Sequence, residues 1–230
     1  MPSNQGAKRL PETSPDTGKV RAADAIYQVL RHDIAFGRLM PRQRLVESDL
    51  CERFGTSNHN IRQAFELLDR VGLIERKANR GVEVKALSTE ELKDLYDMRV
   101  ILQTEGAKRL DLSRSTEIVA KLTEINDAYE KALDEGRFEA AAEANDAFHM
   151  TTFDYCLNAE LAKLQRSYWL RASAIISRAL SDSSLSHGSR RDHREIIAAI
   201  KDGNVERLVE VAVSHIRPAV DVYKRLYGLF

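Results

Sequence analysis

From Ser88 to Phe230 the chain shows one kind of order: apolar residues returning at helical spacing, with no alternating run that would read as a strand. Helices built this way each carry an apolar stripe, and with no sheet to cover it they must bury it against one another. An all-α bundle over residues 88–230 is therefore expected. Its helical segments fall near 88–110, 115–135, 138–157, 160–182, 189–202 and 204–228, broken by "DLSRS", "DEGR", "LNAE", "SDSSLSHGS" and "KDGN". Ser88 followed by Glu91 has the spacing of a capping box at the first helix start. Pro218 lies inside the last segment and is expected to kink it near His215.

Before Ser88 the order changes. "DAIYQVLRHDIAFG" repeats Ile26, Val29, Leu30 and Ile34 at helical spacing and stops at Gly37. "RLVESDLCERFG" predicts a second, short helix closed by Gly55, and Ser57 is placed to cap a third, "HNIRQAFELLDRVG". "LIERKANRGVEVKAL" then shifts to two short β-like runs, Leu73-Ile74 and Val82-Val84, around a turn at Asn79 to Gly81. Two short helices joined by a tight turn and followed by a basic hairpin describe a winged helix-turn-helix over residues 20–87. The expected fold class is thus mainly α: an N-terminal winged helix-turn-helix followed by a helical bundle. Residues 1–19, rich in Pro, Ser, Thr and charge, read as a flexible leader with no secretory core.

Charge separates the same two parts. Residues 1–87 carry 15 Lys/Arg against 11 Asp/Glu, residues 88–230 carry 20 against 24, and the chain as a whole is neutral. A basic first part suggests an anionic partner at that end alone. No apolar run approaches the roughly 18 residues of a membrane span, so no membrane partner is expected. Cys51 and Cys156, the only cysteines, sit among apolar neighbours and read as buried free thiols of a cytoplasmic protein.

In a winged helix-turn-helix the second helix of the motif enters the major groove, and its first residues meet bases and phosphates. Here these are Ser57, Asn58, His59 and Arg62, of which Arg62 can pair with guanine or phosphate. Lys77, Arg80 and the backbone of Gly81 on the wing, with Arg42 and Arg44 before the motif, can reach the sugar-phosphate chain. The competing reading of each is a solvated surface charge.

The bundle poses a different question. "NDAFH" stacks Asn145 and His149 on one helix face beside Phe148. A buried histidine is either a hydrogen-bonded core residue or a metal ligand, and spacing alone leaves both open.

The stretches "AIYQVLRHDIAFGRL", "RLVESDLCERFGTSNHNIRQAFELLDRVGLIERKANRGVEV" and "LYDMRVIL" resemble the GntR family of bacterial transcription regulators. The helical part resembles the FCD ligand-sensing domain of its FadR-like subfamily, and the likeness covers about residues 20–228. Where the family usually has Arg after the capping Ser, this chain has Asn58, His59 and Asn60, which implies a different operator preference, since Asn reads adenine. The resemblance implies that Asn145 and His149 join His193 of "DHREIIAAI" and His215 of "VSHIRP" around a divalent ion. Three imidazoles and an oxygen suit zinc, nickel or manganese. Asn145 stands where the family has Asp, which removes one negative charge from the set, whereas His187, in a Ser/Gly stretch, reads as exposed.

Arg99 matches a family position near the effector pocket, with Arg171 and Arg178 as further effector candidates. An ion pair of Arg99 with Glu105 or Asp94 is the alternative, and Gln103 replaces the family's Glu four residues on. The expected function is a cytoplasmic regulator, a repressor, that binds double-stranded DNA at a palindromic operator as a homodimer. A small organic acid at the metal site modulates it. A metal-dependent hydrolase or lyase with an accessory winged helix is the alternative from another class. Against it, Asp146, the nearest carboxylate in sequence, points about a quarter-turn off the Asn145–His149 face. A metal-responsive regulator without an organic effector is a third reading.

Overall fold

The computed structural model describes residues 17–77, 81–180 and 183–227, with backbone alone at 17–21, 178–180, 183–187 and 226–227. The chain divides after Ala86 into two compact units.

In the first unit α1 (Thr17–Ala35) packs on α3 (Asn58–Arg70). Ile26, Leu30, Ile61, Ala64, Phe65 and Leu68 are fully buried between and around them. Helix α2 (Glu47–Phe54) is short because Gly55 follows it at φ 59°, a left-handed cap that glycine adopts without a Cβ penalty. Three antiparallel strands, β1 (Arg44–Leu45), β2 (Ile74–Lys77) and β3 (Gly81–Val84), lie in the order β1-β3-β2. Leu45, Ile74, Val82 and Val84 are the buried strand residues, while Glu75 and Glu83, paired across β2 and β3 on the opposite phase, stay partly accessible. Asp33, buried at the end of α1, accepts from Arg53 Nη2 of α2 at 2.6 Å and from Arg38 Nη1 at 3.4 Å. Both arginines are solvent-facing, so this carboxylate is held without burying a cation.

The second unit is built of helices, with one isolated β-bridge between Leu110 and Cys156 among its described residues: α4 (Thr89–Lys108), a 3-10 turn (Leu112–Arg114), α5 (Ser115–Asp134), α6 (Phe138–Asp154), α7 (Ala159–Leu180), α8 (Ser183–Lys201), α9 (Val205–Ile216) and α10 (Pro218–Tyr227). The capping box forms: Ser88 Oγ accepts from Glu91 N at 3.1 Å and Glu91 Oε2 accepts from Ser88 N at 2.9 Å. Helix α5 packs on α6 and α8, α4 on α7 and α9, and α8 on α9. Ile118, Leu122, Phe148, Ile196, Ile200 and Leu208 form the apolar centre of this arrangement.

Five details differ from the sequence reading. The wing gains β1, whose two residues are too short to leave a periodicity. Helix α1 begins at Thr17, inside the segment read as leader. Helix α8 begins at Ser183, so the backbone around His187 is helical where Ser and Gly suggested a loop; the side chain of His187 lies outside the described residues. Ser57 takes the extended N-cap conformation, yet its hydroxyl makes no capping bond. Pro218 does more than kink the last helix. It opens a new one at the first position, where proline's missing N–H is unneeded.

Candidate functional site

Two sites stand in the two units. On the first, Ser57, Asn58, His59 and Arg62 are exposed at the start of α3, whose first turn carries no acidic residue. An N-terminus of this kind offers free N–H groups and the positive end of the helix dipole to a phosphate. Arg62 Nε donates to Glu47 Oε2 of α2 at 2.9 Å, with Arg62 64% and Glu47 31% exposed. Asn58 Oδ1 accepts from the half-buried Cys51 thiol at 3.2 Å. On the wing, Lys77 Nζ bonds Glu75 Oε2 at 2.8 Å and lies 3.8 Å from Glu83 Oε1. Arg44 lies along β1 with its guanidinium beside Gly81, where a Cβ would come within 3.9 Å of Nε. Arg42 is exposed and holds a left-handed backbone, φ 67°, rare for a side-chain-bearing residue, while its N–H donates to Val84 O at 2.8 Å. Arg80 lies outside the described residues.

In the second unit three imidazoles meet. His149 of α6, His193 of α8 and His215 of α9 present ligand atoms that all lie within 4.8 Å of one another. Nε2 of His149 and Nε2 of His215 are 3.1 Å apart. His193 Nδ1 faces Asn126 Oδ1 of α5 at 3.1 Å, which makes Nδ1 the protonated nitrogen and leaves the Nε2 lone pair free. That Nε2 is buried and has no hydrogen-bond partner. His215 Nδ1 lies 3.4 Å from Asp192 Oδ2, which turns its Nε2 inward. Burial, reinforced by the neighbouring imidazoles, holds His149 and His193 well below the ordinary histidine range. Both are therefore neutral at physiological pH, the form that binds a cation. Asn145 is 2% exposed one turn before His149 on α6.

The rings are clamped as well as converged. His193 stacks on Phe148 at 4.0 Å, and His149 lies 4.2 Å from the single tryptophan, Trp169. Arg99 of α4 is 6% exposed and stacks between Tyr96, at 4.7 Å, and Trp169, at 5.2 Å. The ion pair with Glu105 or Asp94 is not formed: Glu105 is engaged by Lys108 at 3.0 Å and by Arg109, and no carboxylate among the described residues pairs with Arg99. Its Nη1 is buried without a partner, and burial lowers its pKa. Arg171 lies over the Tyr168 ring at 4.7 Å and is not drawn into this group; the Arg178 side chain is outside the described residues. Asp146 Oδ1 accepts from Trp169 Nε1 at 2.8 Å.

Asn126 and Asp192 escaped the sequence reading, although both orient an imidazole through its outer nitrogen, as partners of ligating histidines do. Asn126 left a signal. It breaks the apolar series Ile118, Leu122, Tyr129, Leu133 at a position that is 4% exposed. Asp192 left none, because it meets His215 only through the packing of α8 on α9.

Residues 94–218 match the family described as FCD domain, and residues 22–84 match the bacterial regulatory proteins of the gntR family. A Paraburkholderia xenovorans protein called uncharacterized HTH-type transcriptional regulator BphR is 28% identical over 97% of this chain and 94% of its own length. A probable D-xylose utilization operon transcriptional repressor of Paenarthrobacter nicotinovorans is 26% identical over 88% of each. Among solved structures, a putative GntR regulator from Rhodococcus sp. RHA1 superposes with TM-score 0.73 at 21% identity, covering 91% of this chain and 99% of that one. E. coli McbR/YncC gives TM-score 0.73 at 17% identity over 90% and 98%. The last two speak for the fold, the family matches for the assignment. The chain belongs to the GntR family of bacterial regulatory proteins, and its helical unit is an FCD domain.

Proposed function

We propose that this transcription regulator is a metabolite-responsive repressor. As a homodimer it binds a palindromic operator through Ser57, Asn58, His59 and Arg62 and through the basic residues of the wing and its approach, Arg42, Arg44, Lys77, Arg80 and Gly81. In the FCD domain a divalent ion, zinc, nickel or manganese, is held by Asn145, His149, His193 and His215. A small organic acid binds beside it, its carboxylate shared between the ion and Arg99.

One observation carries the sensing half: three imidazoles, those of His149 and His193 held neutral by burial, converge next to a buried guanidinium that has no carboxylate partner. The donor set fits the ion, since an orphaned Nε2 lone pair and two inward-turned rings are what a borderline cation requires. When bound, the ion supplies a Lewis-acidic point for an anion. Arg99, stacked and donor-rich, supplies the second hold. The winged unit contributes an exposed helix start free of acidic residues, and the repressor name of the Paenarthrobacter relative supports the sign of regulation.

The test is an operator selected from random DNA, followed by gel shift with purified protein, with and without ion, across a panel of small carboxylic acids. An acid that releases DNA from wild type and not from Arg99→Ala supports the reading. Release by metal alone, or by none of the acids, overturns its effector half.

A further inference from the structure

Beside His149 a cavity of about 30 Å³ opens between α4, α6, α7, α8 and α9. Its only polar walls are Gln103, Thr152, Gln165 and His149, and no Lys, Arg, Asp or Glu lines it. Thr152 is already engaged, its hydroxyl donating to His149 O at 2.7 Å. Gln165 is not. It is 5% exposed, and its Oε1 is buried without a hydrogen-bond partner. A buried amide oxygen in that state is unfavourable unless a donor reaches it.

The place of this amide is prepared by the opposite helix. Gly106, in the last turn of α4, has ordinary helical backbone rather than a positive φ, so no turn demands a glycine there. Space does. A Cβ at Gly106 would lie 2.0 Å from Gln165 Nε2, 2.7 Å from Cδ and 2.8 Å from Oε1. Glycine in a helix is disfavoured relative to alanine, and here it clears a slot for one amide that no protein group completes.

A wall without Lys or Arg disfavours a second carboxylate at the far end from the histidines, which would lose its hydration there with no basic side chain to meet it. An orphaned carbonyl oxygen selects a neutral donor, a hydroxyl or an amide N–H. The volume admits about two or three non-hydrogen atoms. We propose that this cavity receives the tail of the effector, that Gln165 on its Gly106 seat is the specificity-determining residue, and that the ligand is a short monocarboxylic acid whose tail carries a neutral hydrogen-bond donor. The inference rests on the reading above, in which the acid's carboxylate lies at the histidines and Arg99.

Three acids of equal chain length separate the possibilities: propanoate, 3-hydroxypropanoate and malonate, titrated calorimetrically into the full-length protein loaded with zinc. The expected result is that 3-hydroxypropanoate binds about tenfold more tightly than propanoate, the effect of one satisfied buried hydrogen bond, and that malonate binds no better than propanoate. Gln165→Met, which keeps the volume and removes the amide, brings the ratio of the first two affinities to about one. Gly106→Ala does the same by displacing the amide, and a far-ultraviolet melting curve shows whether that variant is folded. Equal binding of propanoate and 3-hydroxypropanoate to wild type, a preference that survives Gln165→Met, or tightest binding of malonate overturns the tail-pocket inference while leaving acid binding at Arg99 intact. Binding of none of the three overturns both.

Discussion

The two candidate sites, one in each unit, handle polar side chains in opposite ways. On the winged unit, Arg62 is matched by Glu47 and Lys77 by Glu75, all at the surface. In the FCD domain, Arg99 Nη1, His193 Nε2 and Gln165 Oε1 are buried and unmatched. The difference follows from the partner each has to meet. A surface cation can trade a carboxylate for a phosphate at small net change, because both states are hydrated and the pair is weak. An interior group is cut off from bulk water, so leaving it unmatched by protein holds free energy that a bound ligand can release. Exposed and satisfied groups thus mark the candidate face for a large polyanion, and buried, unsatisfied ones the candidate pocket for a small ligand.

The sharpest way to break this contrast is to complete the buried set. An ion saturating the three histidines at a hundredfold excess over its dissociation constant stabilises the folded state by about 2.7 kcal/mol. Trp169 is the only tryptophan and packs on His149, so its fluorescence melt reports on the FCD domain alone. Protein stripped by chelator is expected to melt lower by this probe and to recover with zinc, nickel or manganese. His193→Ala should abolish the recovery. Asn145→Asp should enlarge it by restoring an anionic oxygen. A melt that neither chelation nor metal moves would show that the histidines are core residues.

On the winged unit the expected effects are smaller and concern DNA rather than stability. Arg62→Ala should weaken operator binding by about 1–3 kcal/mol with an unchanged Trp169 melt. Glu47→Gln removes the residue that competes with DNA for Arg62, and should strengthen binding by about 0.2–1 kcal/mol, the range of an exposed ion pair. Gel shifts at matched salt measure both. If Glu47→Gln weakens binding instead, the Arg62–Glu47 pair positions the arginine for DNA rather than occupying it.

The same contrast explains what could be read before the structure. Helical period in the second part, the Gly55 cap and the Ser88–Glu91 box are local, so most elements were legible; β1 was not, because two residues carry no period. The triad histidines were found through a family likeness, since their meeting depends on three helices packing together. Asn126 was legible in principle, as a polar residue at a buried phase. The seat of Gln165 was not. A glycine at 106 says nothing until α7 is laid against α4, and the missing hydrogen bond of an amide has no sequence signature at all.

The smallest effect expected tests the contrast inside the FCD domain itself, on a polar group that is exposed and fully matched. Glu117 on α5 accepts from the Tyr155 hydroxyl at 2.7 Å, from Lys121 Nζ at 3.0 Å and from Arg114 Nε at 2.9 Å. Lys121 also donates to the Tyr155 hydroxyl at 2.7 Å, and both cations lie over the Tyr155 ring. The tyrosine hydroxyl first, then the lysine and the arginine, lower the Glu117 carboxyl from 4.5 to about 2. Because the folded pKa is the lower one, the unfolded chain binds the proton more readily, and stability rises with pH across this window. The contribution is present above pH 4.5 and is lost as pH falls towards 2. Since the group is open to solvent and screened, the loss should be slight beside that of the ion site. Glu117→Gln should flatten the acid limb of the Trp169 melt between those values and leave the neutral-pH response to zinc unaltered. A drop at neutral pH as large as that caused by His193→Ala would mean that matched surface groups matter here as much as unmatched buried ones, and the contrast between the two kinds of site would fail.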